Sequence, residues 1–331
     1  MRIAVVQFAP KIGEVNENIR KAQTLCERLT PNTVDLVCLP EMIFTAGYVF
    51  PDAASISPYL EEPRTGPTSR FCAELAARLH CYVVAGYPER LPPDEIEQAE
   101  LEDGRTIQRV GANAAALYGP DGAFVGEYRK TNLYDTDMTW AKPGTGFATF
   151  HLPPPLTLSL GICMDLNVQP PAAWTDIHTG PYEIAEYCIA QRTNVLVLLN
   201  AWLDSKAEPE EETDWRTINY WALRLRPLWA RVVEEAEQRE NELDSNEGGP
   251  ADVASSTCAA DGGGPDAGRK VGEELLVVIC NRCGTENGIT FAGSSSLFSL
   301  RRNSGKPRLL RAMGRHQEAV EVWTYPSVDS S

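Results

Sequence analysis

The stretch LTLSLGICMDLNVQPP (156–171) changes character at Cys163. Up to Met164 it is a near-continuous apolar run, of strand length and too short for a buried helix. Beyond it Asp165, Asn167 and two prolines read as a turn and loop. Apolar character without alternation marks a strand covered on both faces. Seven further runs share that character: IAVVQF (3–8), VDLVCL (34–39), CYVVAGY (81–87), ANAAALY (112–118), NVLVLLN (194–200), ELLVVICN (274–281) and GITFAGSSSLFSL (288–300).

Helical patterns lie between these runs. Residues 16–29 put Ile19, Ala22, Cys26 and Leu29 on one face, and 67–80 open on Pro67 and align Phe71, Leu75 and Leu79. Residues 112–130 read as a hairpin turning at Pro120-Asp121-Gly122. Residues 214–239 are helical in pattern, with Pro227 expected to kink or split them. The fold class is therefore α/β, with a sheet system that helices cover. Residues 241–270 are rich in Gly, Asp, Ser and Ala and nearly devoid of large apolar groups. Burial there cannot offset ordering entropy, so they read as a disordered insertion within a single domain of residues 1–331.

The chain has 331 residues, 43% of them hydrophobic, ample for one sizeable core. A formal net charge of −16 argues against nucleic acid and anionic membranes as partners. The apolar start MRIAVVQFAP is too short for a signal peptide or a span. Nine cysteines, several inside apolar runs, and no glycosylation sequon suggest a cytoplasmic or other reducing intracellular compartment. Cys280-x-x-Cys283 stands without a second pair, so neither a metal nor another cofactor is expected.

Three segments carry chemistry. In CLPEMIFTAGY (38–48), Glu41 follows an apolar strand and a proline, in a mouth lined by Met42, Phe44 and Tyr48. A carboxylate so placed suits general-base work, although a solvated loop acid is the plainer reading of that segment alone. In GEYRKTNLYDTDMTW (126–140), Lys130 ends a strand and is either a surface charge or a cation for a developing oxyanion. In LSLGICMDLNVQPP (158–171), Cys163 sits at a strand-to-loop turn, where a thiol and adjacent backbone N–H groups can face one cleft. The alternative there is an inert buried cysteine, as for most of the other eight. A Cys–His pair using His151 or His178 is a minor reading, since neither lies in a strand-end motif. Trp202, Asp165 and Asn281 sit just past strand ends. Core packing is the ordinary fate of such a tryptophan, with walling of a substrate pocket the alternative.

Acid, cation and thiol each close a β run, in that chain order. LPEMIF, YRKTNLY and GICMD resemble the three catalytic segments of the nitrilase, or carbon–nitrogen hydrolase, superfamily. KTNLYDTDMTW, GICMDLN, LLNAWL and NRCGTENGITFAGSS resemble its fungal protein N-terminal amidase branch. The resemblance implies a four-layer αββα sandwich, often dimerised through its helices, so a homodimer is possible. It implies Cys163 as nucleophile, Glu41 as general base and acid, and Lys130 with the Met164 N–H as oxyanion donors. The supporting acid of the loop after the lysine would be Asp137, with Asp135 second. The implied substrates are proteins or peptides with N-terminal Asn or Gln, deamidated to Asp or Glu, which in that family feeds a degradation pathway. A substrate ammonium would need an acid besides Glu41, and Asp165 and Asp137 are the candidates. A small-molecule ω-amidase or carbamoylase is the alternative enzyme, and a non-catalytic binding module the alternative of another class.

Overall fold

The computed structural model describes residues 1–46, 50–101, 103–153, 156–169, 171–208, 210–231 and 274–325. The apolar runs and the hairpin supply nine strands of two six-stranded sheets, and three strands outside those runs, at 148–152, 308–312 and 319–324, complete them. The first comprises β1 (Arg2–Gln7), β2 (Leu36–Leu39), β3 (Tyr82–Arg90), β6 (Gly111–Tyr118), β7 (Phe124–Arg129) and β16 (Ala319–Thr324). Its order is β16-β1-β2-β3-β6-β7, with β1, β2 and β3 mutually parallel. The second comprises β8 (Ala148–Leu152), β9 (Leu156–Ile162), β10 (Val195–Asn200), β11 (Glu274–Asn281), β14 (Ser296–Arg301) and β15 (Arg308–Ala312). Its order is β15-β14-β11-β10-β9-β8, with β9, β10 and β11 parallel. Two small hairpins pair β4 (Glu97–Glu100) with β5 (Thr106–Arg109), and β12 (Thr285–Glu286) with β13 (Ile289–Thr290).

Alternation along each strand builds the layers. Ala4 and Val6 of β1 pack against α1 (Val15–Cys26) and α3 (Pro67–Leu79), whereas Ile3 and Val5 face the other sheet. Val195, Val197 and Leu199 of β10 meet those residues in the middle of the molecule. Leu196 and Leu198 point the opposite way, towards α4 (Glu183–Ala190) and α5 (Trp215–Arg224). The result is helix, sheet, sheet, helix: an α/β four-layer αββα sandwich. Each aliphatic side chain buried in these layers contributes about 1.5–3 kcal/mol. A short α2 (Ala53–Ile56), capped by Asp52, leads into α3.

The predicted hairpin is present as β6 and β7, with Gly122 left-handed at φ 78°. Two sequence expectations are corrected. The helix over 16–29 stops at Cys26, where the Glu27 N–H turns back to the Thr24 carbonyl, and Leu29 is buried from the loop. The helix over 214–239 starts after Asp214, whose carboxylate accepts the Thr217 N–H, and is split at Pro227 as expected: α5 ends at Arg224, a 3₁₀ turn follows at Arg226–Leu228, and residues 232–239 lie outside the described residues. The run 288–300 is not one strand. Gly293 and Ser294 both have φ 53°, and a side chain on Gly293 would collide with the Arg315 carbonyl, so the chain turns there and resumes as β14. The insertion at 241–270 lies outside the described residues. The eight described cysteines are buried and unbridged. No described helix is long and apolar enough to cross a membrane.

Candidate active site

Glu41 follows β2 directly through Pro40. Its loop is laid onto β3: the Gly86 N–H donates to the Pro40 carbonyl at 3.1 Å, and the Ile43 N–H to the Gly86 carbonyl at 3.3 Å. A methyl group on Gly86 would lie 2.6 Å from the Glu41 Cα. Lys130 follows β7. Tyr128 points between the sheets, whereas Arg129 points outward and pairs with Glu89 and Glu95, each at 2.6 Å. Alternation then turns Lys130 inward, where it is 1% exposed. Cys163 follows β9 as the first residue of a 3₁₀ turn, Cys163–Leu166, at φ 43°. That left-handed backbone is sterically costly for a non-glycine residue. The Cys163 N–H donates to Asn200 Oδ1 at 3.1 Å, tying the turn to the end of the neighbouring parallel strand β10.

The loops converge on one cleft of about 210 Å³ that includes Glu41, Lys130, Asp137, Cys163, Met164 and Trp202 in its lining. Lys130 Nζ donates to Glu41 Oε1 and to Asp137 Oδ2, each at 2.6 Å. Asn113 Nδ2 donates to Glu41 Oε1 at 2.7 Å and to Asp137 Oδ1 at 3.2 Å. The Ala201 N–H donates to Glu41 Oε2 at 2.8 Å. Burial alone would push the Lys130 amine down, but the charges of Asp137 and Glu41 outweigh it and hold the amine well above its ordinary value. Burial and the Glu41 charge push the Cys163 thiol well up, against the lowering influence of Lys130. The resting site therefore holds a protonated thiol beside a lysine ammonium, and the thiol needs a base to become a nucleophile.

The other candidate residues divide clearly. Asp137 turns into the cleft while Asp135 is exposed. Met164 lines the cleft, and Trp202 walls it while packing on Tyr220 and Trp221. Asp165 is not part of the lining. It is 1% exposed and accepts from the Tyr128 hydroxyl and from the Thr131, Asn132 and Ile162 N–H groups. It ties the loop after Lys130 to the turn at Cys163, and burial raises its carboxyl to about 6. Asn281 likewise serves the backbone: its Oδ1 accepts the Trp202 N–H at 2.8 Å and its Nδ2 donates to the Gly293 carbonyl at 2.9 Å. Tyr48 lies outside the described residues. His151 and His178 do not line the cleft. Among the described residues no group of three or more His, Cys, Asp or Glu could hold a metal ion.

Asn113, Asn167, Asn200 and the Ala201 N–H went unread in the sequence. Asn113 and Asn200 each interrupt or end an apolar strand, and a buried amide within such a run was the available signal. Asn167 lines the cleft, with its Oδ1 accepting from the Tyr220 hydroxyl at 2.6 Å.

Comparison with known proteins places this arrangement. The chain is 27% identical over 321 residues to the protein N-terminal amidase of Schizosaccharomyces pombe, covering 91% of each chain. It is 27% identical over 235 residues to the protein N-terminal amidase of Saccharomyces cerevisiae, covering 64% of this chain and 47% of that one. In fold it is similar to a crystal structure of N-terminal amidase with an Asn-Glu-Ala peptide, at TM-score 0.73 and 21% identity, over 98% of this chain and 97% of that one. The family model for carbon–nitrogen hydrolases matches residues 2–173, a span that contains Glu41, Lys130 and Cys163, and the chain belongs to the carbon–nitrogen hydrolase family.

Proposed function

We propose that this chain hydrolyses the side-chain amide of Asn or Gln at the amino terminus of proteins and peptides, giving Asp or Glu and ammonia. The observation that carries the reading is the meeting of Glu41, Lys130 and Cys163 in one buried cleft. The likeness to the Schizosaccharomyces pombe N-terminal amidase over nine-tenths of both chains supports the choice of substrate. On this reading residues 1–331 form a single hydrolase domain, with 241–270 as an insertion.

The steps follow from the site. Glu41 takes the Cys163 proton as the sulfur attacks the amide carbon. Lys130 and the Met164 N–H hold the oxyanion, worth roughly 3 kcal/mol per donor. Glu41 passes its proton to the departing nitrogen, and ammonia leaves a thioester. Water, deprotonated by Glu41, attacks the thioester, and the proton returns to the sulfur as the acid departs. Asp137 shares the Lys130 ammonium with Glu41, which fits the supporting role. Of the two acids expected to meet the substrate ammonium, Asp137 lines the cleft and Asp165 is committed to the backbone. Trp202 closes one wall.

Ammonia release from Asn-Xaa and Gln-Xaa peptides, free and N-acetylated, tests the reading. The free peptides are expected to turn over and the acetylated ones are not. Equal rates on both would return the assignment to a general or small-molecule amidase.

A further inference from the structure

Asn113 stands between the two carboxylates of the site, within the small apolar residues of β6. Its Nδ2 donates to Glu41 Oε1 at 2.7 Å and to Asp137 Oδ1 at 3.2 Å, so both amide hydrogens are committed to acids. The residue is 1% exposed, and its Oδ1 has no hydrogen-bond partner among the described residues. A buried amide with its acceptor unmatched is destabilising. The placement is explained by what Nδ2 does to the acids.

The two oxygens of Glu41 are treated differently. Oε1 accepts from both Asn113 and Lys130, at 2.7 and 2.6 Å. Oε2 accepts from the Ala201 N–H at 2.8 Å, and Ala201 lines the same cleft as Cys163. Oε2 is therefore the oxygen that neither Lys130 nor Asn113 occupies, and it retains a lone pair towards the cleft that it shares with Cys163.

Resting on the proposed roles of Glu41 and Cys163, we propose that Asn113 is a positioning residue for proton transfer. With Lys130 it fixes Oε1 as an ionised acceptor and reserves Oε2 for the proton exchanged with the Cys163 sulfur. In that exchange the S–H bond breaks, an O–H bond forms at Oε2, and the negative charge passes from carboxylate to sulfur. The charged and titratable groups that bear on Glu41 are Lys130, Asp137, Cys163 and the buried Arg282, with Tyr134 in the same cleft. Asn113 is the neutral side-chain donor to Glu41, beside the Ala201 N–H. Its loss leaves a carboxylate with one donor fewer, so protonation of Glu41 becomes easier.

The test uses Asn113→Leu, Asn113→Asp and Glu41→Gln in the full-length chain. Two pH profiles are read: kcat/KM on an Asn-initiated peptide, and the rate of Cys163 alkylation by iodoacetamide without peptide. Asn113→Leu is expected to move the acid limb of both profiles up by about one pH unit, with kcat reduced about tenfold or more and KM little changed. Asn113→Asp places a third carboxyl in the cluster and is expected to move the limb further in the same direction. Glu41→Gln should remove that limb and leave, in the alkylation profile, only the higher rise of the Cys163 thiol itself. A residue that merely fills space would lower rates without moving the limb, so a wild-type limb in Asn113→Leu overturns the proposal. If the leucine variant does not fold, the isosteric aspartate variant decides in its place, and a wild-type limb there overturns the proposal equally. A limb that stays at the wild-type pH in Glu41→Gln belongs to another group and also overturns it. Failure of the peptide as substrate leaves the alkylation profile readable, which separates this claim from the substrate assignment.

Discussion

Asp165→Ala tests whether the site is held together by one buried carboxylate. The Asp165 oxygens accept the Ile162 N–H at 2.7 Å, the Asn132 N–H at 2.8 Å, the Thr131 N–H at 3.1 Å and the Tyr128 hydroxyl at 2.7 Å. Removing the carboxylate strips a partner from donors that water cannot reach, at about 1–3 kcal/mol each. Thr131 N–H and the Tyr128 oxygen retain one another at 3.2 Å, so the loss falls mainly on Ile162 and Asn132. The expected destabilisation is about 4 kcal/mol. Asp165→Asn keeps one oxygen but turns an NH₂ group towards a donor, and about 2 kcal/mol is expected. The pH dependence has a definite sign. Burial raises the native carboxyl to about 6, against hydrogen bonds from Asn132, Ile162 and Tyr128, whereas an unfolded aspartate titrates near about 3.9. The native state thus binds this proton more tightly, and the stability it contributes is lost as pH rises through about 6. The wild-type advantage over Asp165→Asn should be about 1 kcal/mol larger at pH 5 than at pH 7. Urea unfolding followed by circular dichroism at both pH values measures it. An Asp165→Ala protein within about 1 kcal/mol of wild type, or an advantage that grows towards pH 7, would refute the argument.

The triad variants differ in a way that stability measurements can resolve. Cys163→Ala and Lys130→Ala should each lower kcat/KM by at least about 10³ on free Asn peptides. Only Lys130→Ala should also cost about 3–5 kcal/mol of unfolding free energy, because it strands the Glu41 and Asp137 carboxylates. Normal ammonia release by Cys163→Ala would remove the cysteine from the chemistry. Deleting residues 241–270, whose composition offers little to bury, should leave turnover nearly unchanged, and a steady-state comparison with the full chain decides it.

The central strands were legible because they are apolar on both faces, as a strand packed between a helix layer and another sheet must be, whereas the edge strands β8, β15 and β16 are partly exposed and form no such run. The convergence of Glu41, Lys130 and Cys163 was legible because each lies at the end of its strand, so ladder geometry brings together groups far apart in sequence. Partner choice was not legible. Nothing in LNVQPP says that Asp165 spends its lone pairs on N–H groups of Thr131 and Asn132, because that pairing depends on where another loop passes. The break at Gly293 was hidden for a similar reason: it is imposed by the Arg315 carbonyl, which arrives from 22 positions downstream. Asn113 carried no signal of its role within ANAAALY, since its value lies in two acids that the sequence places 72 and 24 residues away.

The bare Cα at Gly86 sets a limit on how this site can vary. The peptide linking Glu41 to Met42 rests on it, with the Met42 backbone nitrogen 2.7 Å and the Glu41 Cα 2.6 Å from where any side chain would begin. The contacts are with backbone, which no rotamer change relieves, and Met42 is already in the left-handed region at φ 43°. Position 86 therefore has no graded alternatives: even alanine would lift the Glu41 loop off β3 and carry the carboxylate away from the sulfur. Drift in this lineage can reshape the walls of the cleft residue by residue, through Met42, Trp202 or Leu203, but the distance between acid and thiol is inherited as a unit with one hydrogen atom on a strand.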